Sequence, residues 1–304
     1  MGMDISDAEA KDRGAAEGGR AARVAACALH RKLRADCRPR SGVGGLKGWW
    51  EPDSVLDPGK LLEAFQAVEA QTGAAQMKSG RSGEVARGQV LGRPVVLKRY
   101  ALRSLVARLK YAFRVSRGRR AFLAARVLQE LGVATPLPHG FLERRSAGLP
   151  VCSYYAAQDL DAAPTLRQWI EQHYGQASAA WRERTWGAIY AFMLGLYQRG
   201  VYHGDTKALN ILVLNPEADE APRLAWIDLE CMQFGVRLSR RRILRNLIQM
   251  NGSLAHAVPP EDLEAFLRRF AGPFPWVGAD SVLRRISAKT RWRLFKERAG
   301  WDGA

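Results

Sequence analysis

The sequence predicts an α+β fold with two lobes, and three observations indicate it. Short apolar runs with the alternation of β-strands are concentrated between residues 75 and 155. One long helical stretch interrupts them, from about residue 102 to residue 131. After residue 161 the pattern is almost entirely helical, apart from one small hairpin. A boundary near residues 156–161 therefore separates a small, β-rich N-lobe from a helical C-lobe.

Strands and one helical stretch are expected in the first lobe. Glycine-containing turns separate the first three apolar runs, and the helical stretch is expected to break near residues 116–118. Gly132 and Pro136 end that stretch, because neither residue continues a helix. The predicted strands are residues 75–78, 84–91, 95–100, 137–143 and 151–155.

Helices and the hairpin are expected in the second lobe. Trp186, Ile189, Met193 and Leu196 have the spacing of one helix face, and Gly200 ends this helix. The predicted hairpin is formed by residues 211–214 and 224–227, and further helices are expected at about 239–256, 260–271 and 281–298.

The first 73 residues precede the two lobes. Residues 1–20 are mostly Ala, Gly, Asp and Glu without periodicity, so we expect a disordered tail. Residues 21–73 are expected to form an N-terminal extension, with a basic helix at 21–35 and a second helix at 61–71. The predicted lobes then span residues 74–157 and 158–304.

The charge of the chain indicates an anionic partner. The 47 Lys and Arg outnumber the 30 Asp and Glu, which gives a net charge of +17 and a pI near 10.3. The four cysteines are scattered, so neither a disulfide framework nor a zinc site is expected. No apolar run approaches the length of about 18 residues that a membrane span needs. The N-terminus also lacks the pattern of a signal peptide, so we expect a cytoplasmic protein.

The strongest motif is HGDTKALN at residues 203–210, between a predicted helix and a short apolar strand. It resembles the catalytic loop H-R-D-x-x-x-x-N of kinases, with Gly204 in place of arginine. In that pattern the aspartate accepts a proton from the attacking hydroxyl, and the asparagine turns back to bind magnesium. Asp205 is therefore predicted to be the catalytic base and Asn210 a metal ligand. Lys207 lies where its ammonium could meet the transferred phosphoryl group, and we expect it to be catalytic too.

Two further motifs occur in the order that a kinase requires. Asp228 ends the apolar run Trp226-Ile227, as the magnesium-binding aspartate of kinases does, and is the second predicted metal ligand. Lys98 ends the strand run VVLK, which resembles the V-A-I-K strand whose lysine holds the α- and β-phosphates of ATP. Upstream lies a glycine-containing turn that is expected to cover the phosphates, with Gly80, Ser82 and Gly83 as its predicted nucleotide-binding residues.

Each motif alone has a simpler explanation. A strand lysine is usually exposed, glycines often form plain hairpin turns, and a pattern like that of residues 203–210 arises by chance in many proteins. The joint occurrence of the three motifs, in this order and on the predicted strand, loop and strand, favours the kinase interpretation. That interpretation implies a bilobal protein-kinase-like fold with ATP and Mg²⁺ as cofactors.

The same motifs resemble the lipopolysaccharide kinase family over roughly residues 75–255. The resemblance rests on the Lys98 strand, on SRGRR leading to LGVATP (116–120 and 131–136), on YHGD at 202–205, on WIDLE at 226–230 and on RNL at 245–247. It implies a kinase that phosphorylates Kdo or heptose in the inner core of lipopolysaccharide.

One departure from the kinase pattern keeps alternatives open. Kinases pair the strand lysine with a glutamate on the next helix, and many family members carry it at the position of Ala121. Glu130 is the only acidic residue on this predicted helix, more than two turns further along. A pseudokinase that binds glycolipid or a partner protein is therefore one alternative. The motifs also resemble antibiotic phosphotransferases, so a kinase acting on a soluble sugar, an aminoglycoside or a protein is another.

A basic segment at residues 98–120 contains no acidic residue. This segment predicts where in the cell the protein is located. Leu105, Val106, Leu109, Ala112 and Phe113 interleave its basic residues at helical spacing, as in an amphipathic helix at a membrane interface. The same apolar stripe could instead pack on a lobe. No nucleic-acid-binding motif is present, and no nucleic acid is expected as a partner. We expect peripheral binding to the anionic cytoplasmic face of the inner membrane, where the lipopolysaccharide core glycolipid would be the substrate.

Overall fold

The computed structural model describes residues 5–37, 40–41, 46–50, 63, 78–80, 83–90, 93–160, 163–217 and 220–299. The chain forms two compact units. The first, called the sheet unit here, comprises Ala28–Ala162 and Asp228–Met232. The second, called the helical unit, comprises Met1–Cys27, Ala163–Ile227 and Gln233–Ala304.

The helices and strands include the elements predicted after residue 78, together with four strands that the sequence does not predict. The helices within the described ranges are α1 (Ile5–Asp36), α2 (Leu105–Tyr111), α3 (Arg117–Glu130), α4 (Leu166–His173), α5 (Ala179–Gln198), α6 (Arg240–Leu254), α7 (Pro260–Arg268) and α8 (Asp280–Arg298). The strands in the same ranges are β1 (Arg40–Ser41), β2 (Leu46–Trp50), β3 (Lys78–Gly80), β4 (Gly83–Val90), β5 (Arg93–Ala101), β6 (Pro138–Ser146), β7 (Leu149–Gln158), β8 (Val201–His203), β9 (Ile211–Val213), β10 (Leu224–Trp226) and β11 (Met232–Phe234). The four strands that the sequence does not predict are β1, β2, β8 and β11.

The sheet unit is built on one antiparallel sheet in the order β1-β2-β6-β7-β5-β4-β3. Alternate residues of β5, such as Val95 and Leu97, are buried, because successive side chains of a strand point to opposite faces. Burying a side chain of this size stabilises the fold by roughly 1.5–3 kcal/mol. The buried cluster comprises Leu46, Val95, Leu97, Leu142, Cys152, Tyr154 and Ala156.

Helix α3 lies unusually close to β7 because of Gly118. A Cβ atom at this position would clash with the carbonyl group of Tyr154, so only glycine fits. The amide of Gly118 also donates to Ser153 Oγ at 3.1 Å. This contact holds the first turn of α3 against the sheet.

The predicted break in the helical stretch after residue 102 is confirmed. Ser116 caps α3, and its hydroxyl accepts a hydrogen bond from the amide of Arg119 at 3.2 Å. Ser104 caps the separate helix α2 in the same way. Gly132 follows α3 with a φ of +66°, a left-handed conformation that favours glycine and ends a helix.

The helical unit also follows the prediction. The apolar stripe of α5, from Trp186 to Leu196, is buried. The predicted hairpin is present as the antiparallel pair β9 and β10, in which Ile211 lies opposite Trp226. The three helices predicted after the hairpin are α6, α7 and α8.

The N-terminal region differs from the pattern that the sequence predicts. Helix α1 begins at Ile5, where a disordered tail over residues 1–20 and a short helix over 21–35 are expected. Its Ala, Arg, Lys and Glu residues favour a helix without an apolar stripe, so periodicity alone does not reveal it. Strand β2 pairs with β6 and so extends the sheet. The boundary between the two compact units lies at residues 162 and 163, whereas the predicted boundary between the lobes lies at 157 and 158. The predicted helix at 61–71, apart from Glu63, and most of the predicted strand at 75–78 lie outside the described residues.

Candidate active site

Lys98 and Asp228 are in contact in the sheet unit. The ammonium of Lys98, on β5, donates to Asp228 Oδ1 at 2.5 Å, and the two side chains are 14% and 29% exposed. Asp228 has a φ of +61° and a ψ of +51°, a left-handed conformation that is uncommon outside glycine. Such strain persists only where the surroundings enforce it, and it is concentrated at functional sites. The predicted phosphate-binding lysine and the predicted metal-binding carboxylate therefore meet.

Strands β3 and β4 pair antiparallel on either side of the predicted glycine-containing turn. Gly80 lies opposite Gly83 in the strand register, and Ser82, between them, lies outside the described residues. Gly83 has a φ of +135°, and a Cβ atom there would meet the carbonyl oxygen of Arg99. This position therefore requires glycine, because the chain here passes close to the backbone of β5.

Asp205, in the helical unit, is held by charged and polar donors. Lys207 Nζ lies 3.0 Å from Asp205 Oδ1 and 3.1 Å from Oδ2. The side-chain nitrogen Nδ2 of Asn210 donates to Asp205 Oδ2 at 3.1 Å. It also donates to the backbone carbonyl oxygen of Asp205 at 2.8 Å. The structure thus brings together the three residues of this loop that the sequence predicts to be functional.

His203 connects this loop to the chain that enters Asp228. Its Nδ1 accepts a hydrogen bond from the amide of Asp205 at 3.1 Å, so in the neutral ring Nε2 carries the hydrogen. Nε2 lies 3.2 Å from the carbonyl oxygen of Ile227 and can donate to it. The amide of Ile227 in turn donates to the carbonyl oxygen of Asn210 at 3.0 Å. These bonds fix the residue immediately before Asp228 to both ends of the loop.

Comparison with known families shows which family the chain belongs to. The family model described as "Lipopolysaccharide kinase (Kdo/WaaP) family" matches residues 72–270. The chain belongs to the lipopolysaccharide kinase family. No curated protein matches the chain.

Two solved structures are similar to this member of the family. The structure titled "WaaP in complex with acyl carrier protein" has 22% sequence identity and a TM-score of 0.58, and the match covers 78% of this chain and 97% of that chain. The PknI kinase domain of Mycobacterium tuberculosis has 17% identity and a TM-score of 0.40, with 71% of this chain and 94% of that chain covered. The predicted bilobal protein-kinase-like fold is confirmed by the similarity to WaaP.

Membership of the family also confirms the predicted class of reaction. The lipopolysaccharide kinase transfers a phosphate group to a sugar hydroxyl of the lipopolysaccharide core, and as a kinase it uses ATP. None of the helices in the described ranges combines the length and the apolar character needed to cross a membrane.

The structure also lacks a carboxylate at position 121, where kinases of this family often carry the helix glutamate. Ala121 is buried on α3, and the one acidic residue of this helix, Glu130, is exposed at its last position. Lys98 instead contacts Asp228, and α3 contributes no carboxylate to this contact.

Gln249 is a site residue that the motifs do not reveal. From α6, its Nε2 donates to Asp205 Oδ1 at 3.2 Å and lies 3.4 Å from the carbonyl oxygen of Gly204. Its Oε1 accepts from the amide of Thr206 at 3.1 Å. Ser253, four residues later and on the same helix face, accepts from the amide of Ala208 at 2.9 Å. The spacing of these two polar residues by one helical turn is the signal that the sequence offers.

Arg117, Glu230 and Tyr100 form a second polar group. Arg117 lies in the SRGRR motif and Glu230 in the WIDLE motif, but the sequence predicts no site role for either residue. Arg117 donates to Glu230 Oε1 at 2.8 Å, and the guanidinium lies over the ring of Tyr100. Burial, together with the negative charges of Glu230 and Asp228, raises the pKa of Tyr100 well above its usual value. The hydroxyl therefore stays protonated.

The donor atoms fit magnesium. Mg²⁺ prefers oxygen ligands and usually takes one or two carboxylates, together with phosphate oxygens and water. In the sheet unit, Asp228 carries a carboxylate of this kind. In the helical unit, both hydrogen bonds of the Asn210 side chain use its amide nitrogen and not its amide oxygen. No group of three or more His, Cys, Asp or Glu that could hold a metal occurs among the described residues, so a cage built entirely from protein side chains is not observed there.

Proposed function

We propose that this lipopolysaccharide kinase uses ATP and magnesium to phosphorylate a hydroxyl of Kdo or heptose in the inner core. The contact between Lys98 and Asp228 carries the proposal. It brings together the strand lysine expected at the ATP phosphates and the carboxylate expected at the metal, two groups that act on the same phosphates in kinases.

Asp205 is the catalytic base of the proposed reaction. Its carboxylate accepts the proton of the sugar hydroxyl, whose oxygen attacks the γ-phosphate in line with the departing ADP oxygen. Asn210 and Gln249 orient this carboxylate through their hydrogen bonds. Lys207 neutralises negative charge that develops on the transferred phosphoryl group, and its contact with Asp205 supports this role.

The nucleotide and the metal are held by the remaining predicted residues. Lys98 binds the α- and β-phosphates, and the turn with Gly80, Ser82 and Gly83 covers them. Asp228 and Asn210 are the proposed magnesium ligands. Magnesium, when bound, offsets the negative charge of the phosphate oxygens.

An acceptor panel tests the substrate. Purified protein should transfer labelled phosphate from ATP to a core glycolipid that ends in Kdo or in one that carries heptose, and the better acceptor identifies the sugar. Soluble sugars, aminoglycosides and proteins are included as acceptors. Transfer to one of these, with neither glycolipid phosphorylated, would contradict the proposed substrate.

We also propose that the protein binds the anionic inner-membrane surface on its cytoplasmic side through α2 and the residues around it. Val106 is 76% exposed and Phe113 fully exposed, and no residue of α2 is buried. Apolar exposure on this scale is typical of an interaction surface. The neighbouring cations are Arg103, Arg108, Lys110 and Arg114.

The distribution of ion pairs supports this choice of cations. Within the basic segment, Lys98, Arg99 and Arg117 are bonded to acidic groups of the sheet unit. Of the four cations around α2, Arg103 makes a mostly exposed contact with Glu84. Arg108 donates to the carbonyl oxygen of Leu102 at 3.0 Å, a neutral partner that leaves its charge available to anionic lipid. Each cation near such a surface contributes about 1 kcal/mol, and salt screens the attraction.

Vesicle binding tests the location. The variant in which Gln replaces Arg103, Arg108, Lys110 and Arg114 should bind anionic vesicles more weakly, and its binding should depend less on salt. Its turnover on a soluble, delipidated acceptor should change little. Replacing Arg31, Lys32 and Arg34 by Gln serves as the matched control, because α1 is the competing basic element. Intact vesicle binding with lost turnover in the first variant would place these residues in catalysis and contradict the membrane role.

A further inference from the structure

A buried ion pair joins α3 to the segment Asp228–Met232, called the Asp228 turn below. Arg117 is the first residue of α3, and its Nη2 donates to Glu230 Oε1 at 2.8 Å. The two side chains are 24% and 5% exposed. Removing one partner of such a pair leaves the other charge buried without compensation, so the pair strongly constrains where the helix and the turn lie.

Tyr100 connects this pair to the strand of Lys98. The two residues are separated by one position on β5 and therefore project from the same face of the sheet. The hydroxyl of Tyr100 approaches Glu230 Oε2 at 3.5 Å, and the guanidinium carbon of Arg117 lies 4.6 Å from the centre of the tyrosine ring. β5, α3 and the Asp228 turn thus share one polar cluster.

The polarity of this connection is the reverse of the kinase pattern. In kinases the helix supplies a glutamate to the strand lysine. Here α3 has Ala121 at the matching position and supplies a cation, Arg117, while the Asp228 turn supplies the carboxylate of Glu230. Lys98 is bonded directly to Asp228.

The strained backbone of Asp228 indicates what this polar cluster does. A left-handed, non-glycine residue persists only when its surroundings determine its conformation. Lys98 fixes the side chain of Asp228, and Arg117 fixes Glu230 two residues later. The turn is therefore held at two points, one of which is supplied by α3.

We propose that Arg117 and Glu230 are positioning residues that hold Asp228 in its metal-binding orientation and replace the lysine–glutamate pair that α3 does not supply. The proposal rests on the proposed function of Asp228 as a magnesium ligand. Neither residue is assigned a contact with ATP or the sugar. Both act through the Asp228 turn.

Two variants that each remove one charge of the pair test it. Arg117→Gln and Glu230→Gln should each lower kcat/KM for MgATP by about 100-fold, the size of effect expected when a catalytic group moves by about 1 Å. Arg117→Lys should recover part of this loss, because it keeps the charge but not the planar guanidinium. Arg119→Gln is the matched control, since Arg119 lies in the same turn of α3 and its guanidinium donates to the backbone carbonyls of Arg34 and Cys37.

Two readouts do not depend on the sugar acceptor. Calorimetry should detect weaker MgATP binding in Arg117→Gln and Glu230→Gln, with Arg119→Gln unchanged. Hydrogen exchange in the nucleotide-free protein should be faster at the amides of residues 229–232 in the same two variants. A lower unfolding temperature with wild-type MgATP affinity and wild-type exchange at 229–232 would reduce the pair to a purely structural role and overturn the proposal.

Failure of the proposed function is distinguishable from failure of this inference. If the wild-type protein phosphorylates no core glycolipid but the two variants lose MgATP affinity as expected, the substrate is wrong and the positioning role stands. If Asp228→Ala binds MgATP like the wild type, Asp228 is not a metal ligand and the positioning proposal is overturned with it.

Discussion

Replacing Gln249 by Glu tests the orientation of the catalytic base most sharply. The substitution preserves the shape of the side chain and an acceptor for the amide of Thr206, which lies 3.1 Å from Oε1. It converts the donor that lies 3.2 Å from Asp205 Oδ1 into a second carboxylate oxygen. The carboxylate of Asp205 then loses a hydrogen bond and gains a repulsive neighbour.

The size of the effect follows from the distance. Two unit charges 3.2 Å apart repel by about 1 kcal/mol in bulk water and by about 5 kcal/mol at an effective dielectric constant near 20. Asp205 is partly exposed, so the lower part of this range applies. We expect kcat/KM for the sugar acceptor to fall by roughly 10- to 100-fold, since each 1.4 kcal/mol corresponds to about a factor of ten.

Steady-state kinetics and MgATP binding together decide the outcome. Gln249→Leu removes the hydrogen bonds without adding charge and should lose less activity than Gln249→Glu. Arg241→Gln, at an exposed position of the same helix, is the control for general effects on α6. Turnover of Gln249→Glu within twofold of the wild type would refute the reasoning, and so would equal losses in MgATP affinity and in turnover.

Three further predictions concern the base, the metal and the fold. Asp205→Asn should reduce kcat by about 10²- to 10⁴-fold in the transfer assay and leave MgATP affinity nearly intact, because the base contacts the acceptor; near-normal turnover would remove it from the mechanism. Asp228→Ala should weaken the magnesium-dependent stabilisation by ATP in thermal-shift titrations, and a response like that of the wild type would refute the metal assignment. Gly118→Ala should lower the free energy of unfolding by about 1–3 kcal/mol in a denaturant titration, because the added methyl group meets the carbonyl of Tyr154. Wild-type stability would mean that α3 does not pack this closely on β7.

The predictable part of the fold is the part with strong local signals. The strand runs that lie in the described residues, the α5 stripe and the helix break at Ser116 follow from alternation, helical spacing and capping, which act over a few residues. The sequence predicts a helix at 21–35 but not the preceding part of α1, from Ile5, where the composition favours a helix only by propensity and no periodicity reveals it. The contribution of β2 to the sheet edge depends on pairing with β6, almost a hundred residues away in sequence, which no local pattern records.

The site divides in the same way. Asp205, Lys207 and Asn210 lie on one short loop, and their spacing alone indicates that they come together. Gln249 reaches Asp205 through tertiary packing, so no fixed spacing marks it. Glu230 lies in the WIDLE motif, but the motif does not reveal that Arg117 is its partner. The sequence shows at Ala121 that the helix lacks the glutamate. Only the structure shows that Lys98 forms an ion pair with Asp228.

Mass-spectrometric mapping of the phosphorylated product tests the central claim most directly. Purified protein is incubated with ATP, magnesium and a core glycolipid, and the position of the added phosphate is determined for the wild type and for Asp205→Asn. We predict one phosphate on a Kdo or heptose hydroxyl with the wild type, and almost none with the variant at equal MgATP affinity. Phosphate on no core sugar, or the same amount of product from both proteins, would contradict the assignment of this site as a core-sugar kinase with Asp205 as its base.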